Sequence, residues 1–88
     1  MPIFRIIHSD GRTNDLSVNK DEITIGRSKD SDIPLFDNTV SRNHARIRKT
    51  KGGFFLTDLG SFNGTIVNQL PTQNVLLANN DLITIGLN

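Results

Sequence analysis

The sequence contains no cysteine, so it has neither a disulfide framework nor a thiolate metal site. Its two histidines, His8 and His44, stand far apart, so the spacing of a structural metal site is missing. No metal and no cofactor is expected. Tryptophan and tyrosine are absent as well, which removes the side chains that most often stack on single-stranded nucleic acid. No apolar run approaches the roughly 18 residues that read as a membrane span. Met1-Pro2-Ile3-Phe4-Arg5 lacks the charged start and apolar stretch of a secretory signal. The expectation is a soluble chain in the cytoplasm.

An excess of one charge is also missing. Ten Lys plus Arg stand against nine Asp plus Glu, a net charge of +1. Nucleic acids and anionic membranes are bound through a clear basic excess, so neither partner is expected. Strong helix formers are scarce: Ala45, Ala78 and Glu22 are the only Ala and Glu residues, against fourteen Ile plus Val and eight Thr. Branching at Cβ suits a pleated surface better than a helix. Eighty-eight residues make one small domain, and this one is expected to be all-β.

Short apolar segments of strand length recur between turn signals: 3–8, 16–18, 22–26, 33–35, 45–49, 54–58, 66–67, 75–77 and 82–87. That spacing is the pattern of a sandwich or barrel. His44, Arg46 and Arg48 alternate with Ala45 and Ile47, giving a strand with one wet face, and Gly52-Gly53 turns it back into 54–58 as a hairpin. Ile23-Thr24-Ile25-Gly26 returns as Ile83-Thr84-Ile85-Gly86 with nothing duplicated between. Two strands meeting the same packing requirement explain this better than a repeat.

Three pieces carry chemistry: Gly26-Arg27, Ser41-Arg42-Asn43-His44, and the run from Asp58 to Asn68. Each falls where a strand hands over to a loop, and sandwich loops gather at one end. Together they offer guanidinium groups, a hydroxyl, an amide and loop N–H groups, all suited to phosphate oxygens or to a peptide backbone. A phosphate monoester carries about −1.5 to −2 charge and has three acceptor oxygens. No nucleophile–base pair is evident, so the chemistry is binding without catalysis. Taken singly, Arg27 is as well explained by an ion pair with Asp30 or Asp32, and Ser41 by capping a loop.

These blocks, in this order and spacing, resemble the forkhead-associated (FHA) domain family: Gly-Arg, then Ser-Arg-x-His, then Asp-x-x-Ser-x-Asn-Gly-Thr-x-Val-Asn. The resemblance implies an FHA-type β-sandwich of two largely antiparallel sheets with its ligand loops at one end. It implies a signalling module that binds a phosphothreonine-containing protein. Arg27 and Ser41 would hold the phosphate, and Arg42 the phosphate or the adjacent backbone. Asn63 would bond the peptide main chain. Asn38, Thr39, Val40 and Phe62 are candidates for sequence preference, Phe62 standing where the family often has a polar side chain. Gly26, His44, Asp58, Gly64 and Asn68 would be structural, with His44 bracing the Ser41 and Asn63 loops.

Other readings stand beside this one. One is a phosphate-independent interaction or oligomerisation domain, motivated by Phe62. Others are a nucleic-acid binder using residues 42–51 and a hydrolase using Ser41, His44 and Asp58, although no nucleophile elbow surrounds Ser41. The resemblance also implies one further strand past Ile85-Gly86, where this chain stops at Leu87-Asn88. Residues 1–88 are thus expected to be an N-terminal FHA module of a longer protein, with the last strand absent. An unpaired edge left there is a route to homodimer formation.

Overall fold

Alternating burial along short β-branched segments builds two five-stranded sheets. The computed structural model describes residues 2–86. The strands are β1 (Ile3–Ile7), β2 (Thr13–Ser17), β3 (Glu22–Gly26), β4 (Ile33–Pro34), β5 (Ala45–Thr50), β6 (Gly53–Asp58), β7 (Thr65–Val67), β8 (Leu70–Thr72), β9 (Asn74–Leu76) and β10 (Leu82–Ile85). One sheet runs β2-β1-β10-β7-β8 and the other β4-β3-β5-β6-β9. All pairs are antiparallel except β1 with β10 and β3 with β4. Among the described residues no helix is long and apolar enough to cross a membrane.

The inward residues fuse into one core. Phe4 and Ile6 come from β1, Ile23 and Ile25 from β3, Ala45 and Ile47 from β5, Leu56 from β6, Val67 from β7, and Ile83 and Ile85 from β10. Phe4 and Phe54 bridge the sheets edge to face, with ring centroids 5.8 Å apart. The repeated Ile-Thr-Ile-Gly segments fall on β3 and β10, one in each sheet, and bury all four isoleucines in that shared core. Their glycines do different work. Gly86 has a φ of +94°, whereas Gly26 lies under the backbone of Arg42.

The β5–β6 hairpin forms as the sequence indicates, with Thr50 opposite Gly53. Three details differ from expectation. β2 begins at Thr13, three residues earlier than its apolar residues suggest, because β1 sets its register across Thr13–Ser17. β8 was not foreseen; it is an edge strand carrying Pro71 opposite Ile66, where a missing N–H is tolerated. Finally, β10 is paired on both sides, by β1 and β7. The open edge expected next to β10 is therefore filled, and the described edges are β2, β8, β4 and β9. The expected end of that strand at Leu87 lies outside the described residues.

Candidate functional site

β3, β5 and β6 end or begin at one end of the sandwich, and the loops that connect there are tied to one another by hydrogen bonds. Gly26 closes β3, and an added Cβ would lie 2.0 Å from the Arg42 carbonyl oxygen. Only glycine lets the 41–44 segment pass this close. The approach aligns the Arg27 N–H with the Ser41 carbonyl (2.9 Å) and the His44 N–H with the Ile25 carbonyl (3.0 Å). The two segments travel together out of the sheet.

His44 is fully buried and joins two loops. Its Nδ1 accepts from the Ser41 N–H (3.0 Å), so Nε2 carries the hydrogen that bonds the Gly64 carbonyl (2.8 Å). Both ring nitrogens are committed to backbone, which leaves neither free to act as a base toward Ser41. Asp58, also buried, accepts from the Ser61 N–H (3.1 Å), the Ser61 hydroxyl and the Thr65 hydroxyl (2.9 Å). Burial pushes its pKa up, but the Ser61 and Thr65 hydroxyls and the Ser61 N–H outweigh it and hold the carboxyl below its ordinary value. The Ser61 hydroxyl in turn accepts from the Gly64 N–H at 2.9 Å. Gly64 has a φ of +83°, which turns the chain after Asn63.

Above this buried layer stand the groups with capacity to spare. The Ser41 hydroxyl accepts from the Phe62 N–H (2.9 Å), leaving its own hydrogen to donate. Asn63 donates Nδ2 to the Thr39 carbonyl (2.7 Å), and its carbonyl oxygen makes no bond among the described residues. Arg27 is anchored by Nε to the Val40 carbonyl (2.9 Å). Its terminal nitrogens, and the whole Arg42 side chain, make no hydrogen bond or ion pair among the described residues. Asp32 is taken by Lys20 (2.6 Å) and Thr24, so the Arg27–Asp32 pair does not form. Arg27, Lys29 and Arg42 border one open hollow with Ser28, Asp30 and Phe36, three cations against one carboxylate.

Arg46 and Arg48 lie apart from this end, on the solvent face of β5, where both approach Glu22 (3.4 and 3.3 Å). That one carboxylate offsets one of the five positive charges in the run 42–51. Among the described residues no cluster of His, Asp or Glu is placed to hold a metal ion.

A family model of the FHA domain matches residues 23–86. The chain belongs to the FHA domain family. It is 52% identical over 61 residues to the glycogen accumulation regulator GarA of Mycolicibacterium smegmatis, a match covering 69% of this chain and 39% of that one. It is 48% identical over 63 residues to an oxoglutarate dehydrogenase inhibitor of Corynebacterium diphtheriae, covering 72% and 44%. The matched region thus spans about two fifths of the length of these relatives. Among solved structures, the FhaA FHA domain complexed with the intracellular domain of Rv3910 aligns with a TM-score of 0.74 and 41% identity, covering 86% of this chain and 81% of that one. Another, from work on phosphothreonine-dependent FHA domain interactions, aligns with a TM-score of 0.73 and 42% identity, over 86% and 77%.

Within this FHA domain the structure brings Arg27, Ser41, Arg42, Phe62 and Asn63 to one end. Asn38 is exposed on the same loop, and Thr39 bonds Asp37 through its N–H (2.8 Å) and hydroxyl (2.7 Å). One sequence expectation changes. The Val40 side chain is 2% exposed and belongs to the core, so it faces away from a ligand; the residue serves the site through its carbonyl. Asn68 sits at the far end of β7 from Gly64, where it bonds Asp81 (2.8 Å) and Leu82 (3.0 Å). Phe36 and Lys29 were missed. Leu35 is buried and Phe36 exposed, but both lie past the end of β4, so no strand period in the sequence marked Phe36.

Proposed function

We propose that this FHA domain binds a phosphothreonine-bearing segment of a partner protein and catalyses no reaction on it. The observation that carries the reading is the hollow bordered by Arg27 and Arg42, whose terminal guanidinium nitrogens make no ion pair among the described residues although Asp30 borders the same hollow. A phosphate of about −2 charge matches its local excess of cations. Arg27 and Arg42 supply charge-assisted bonds, and the Ser41 hydroxyl donates its remaining hydrogen. Asn63 offers an unused carbonyl oxygen and a second N–H to the peptide main chain beside the phosphate. The relatives named as a glycogen accumulation regulator and an oxoglutarate dehydrogenase inhibitor support a regulatory partner rather than a small substrate.

Calorimetric or NMR titration of matched phosphothreonine, phosphoserine and unphosphorylated peptides tests this. The expected order is strong, much weaker and undetectable binding, with Arg27→Ala and Ser41→Ala each losing most of the affinity for the first. Equal binding of all three peptides, or full affinity in Arg27→Ala, overturns the reading in favour of a phosphate-independent contact centred on exposed Phe62.

A further inference from the structure

Phe36 and Phe62 are the two most exposed large apolar side chains among the described residues, at 77% and 93%; none of the others exceeds 68%. The fold requires neither ring. Leu35 fills the inward position beside Phe36, and Phe62 serves its loop through a backbone N–H to Ser41. Their places are not random. Phe36 borders the hollow of Arg27, Lys29 and Arg42. Phe62 borders a second hollow, with Asn63 and Pro71. Ser41 joins the two, adjacent in the chain to Arg42 and bonded through its hydroxyl to the Phe62 N–H (2.9 Å).

We propose that Phe36 and Phe62 are specificity-determining residues that receive bulky apolar side chains on the two sides of the phosphothreonine. The proposal rests on the phosphothreonine reading and specifies its ligand class: an extended segment with apolar residues both before and after the phosphorylated position. Charge complementarity sets the register. With the phosphate held at the two arginines, the peptide continues as an extended chain that advances about 3.3 Å per residue. Binding energy concentrates in a few side chains that a ligand buries in well-packed, desolvated contacts. A polar-flanked phosphothreonine would leave both rings in water.

The test uses the full 88-residue chain and two synthetic phosphothreonine peptides, with leucine or with serine at the three positions on each side, plus the unphosphorylated leucine peptide. Calorimetry is expected to give at least tenfold tighter binding of the leucine phosphopeptide. F36A and F62A are each expected to weaken that peptide about three- to tenfold and leave the serine phosphopeptide unchanged. Both rings are exposed, so melting temperatures should match the parent and separate this effect from misfolding. Equal affinity for the two phosphopeptides, or variants that weaken both equally, overturns the proposal and leaves the phosphothreonine reading intact. A preference abolished by F62A and untouched by F36A overturns the two-sided clamp. Equal binding of the leucine peptide with and without phosphate overturns both readings together.

Discussion

Replacing His44 by alanine should cost stability, whereas replacing Arg27 should cost binding, and the two effects should separate cleanly. His44 is fully buried and joins the Ser41 N–H to the Gly64 carbonyl at 3.0 and 2.8 Å. Alanine leaves that donor and that acceptor without a partner, about 1 kcal/mol each at the lower end because both lie near enough to the surface for water to enter. Lost packing of the ring adds about 2 kcal/mol, for a total of about 3–5 kcal/mol. A chain of this length has about 4–13 kcal/mol to lose, so His44→Ala should be only marginally folded. Arg27 is exposed and gives up one bond, to the Val40 carbonyl, worth about 1 kcal/mol or less. With no Trp or Tyr in the chain, urea unfolding is best followed by far-UV circular dichroism or NMR. Phosphothreonine-peptide calorimetry gives the second axis. A His44→Ala protein within about 1 kcal/mol of the parent, binding peptide normally, would refute this account of how the loops are held.

Other substitutions test single contacts. Gly26→Ala should lower stability by about 1–3 kcal/mol and weaken phosphopeptide binding, since its Cβ would displace Arg42 from 2.0 Å and break the alignment of the 41–44 segment; urea midpoints and calorimetry read both. Asn68 holds a φ of 51° and bonds Asp81 and Leu82, so Asn68→Ala should cost about 2 kcal/mol and Asn68→Gly only about 1 kcal/mol, with peptide affinity unchanged in both. Because the folded pKa of Asp58 is held low, its contribution is fully present above the unfolded value of roughly 3.9 and is lost as pH falls through the folded pKa. Stability measured from pH 6 down to pH 2 should therefore fall less steeply in Asp58→Asn than in the parent.

Strands whose side chains alternate between core and water were legible in the sequence, because the period itself carries the information. β3, β5 and β6 show this: Ile23 and Ile25, Ala45 and Ile47, and Leu56 all enter the core. Edge strands were harder. β2 is mostly polar, and β8 consists of Leu-Pro-Thr, so partner register and the left-handed turn at Asn68 and Gln69 define them more than their own residues do. The parallel pairing of β1 with β10 joins segments nearly eighty positions apart, which no local pattern encodes. The candidate site was marked in the sequence by an ordered set of blocks, Gly26-Arg27, Ser41 to His44 and Asp58 to Asn68, each of which alone is an ordinary turn or cap pattern. Side-chain direction was not. Val40 and Phe36 look interchangeable as apolar loop residues, yet one is 2% exposed and the other 77%.

The proposed reading places a highly charged ligand on a domain whose net charge is only +1. Hydrogen-bonding capacity divides by depth. Asp58 accepts three bonds and His44 uses both ring nitrogens, so the buried members of the motif are saturated inside the protein and fix where the loops lie. Ser41, Asn63 and Arg27 each make one anchoring side-chain bond and keep further capacity facing solvent. The anchors limit the freedom that the donors lose when a ligand arrives, which reduces the entropic cost of binding. Elsewhere Lys20 pairs with Asp32, and Arg46 and Arg48 share the single carboxylate of Glu22. On the proposed reading, recognition depends on a few prealigned donors, and its salt dependence should be set by Arg27 and Arg42 rather than by the protein's overall charge.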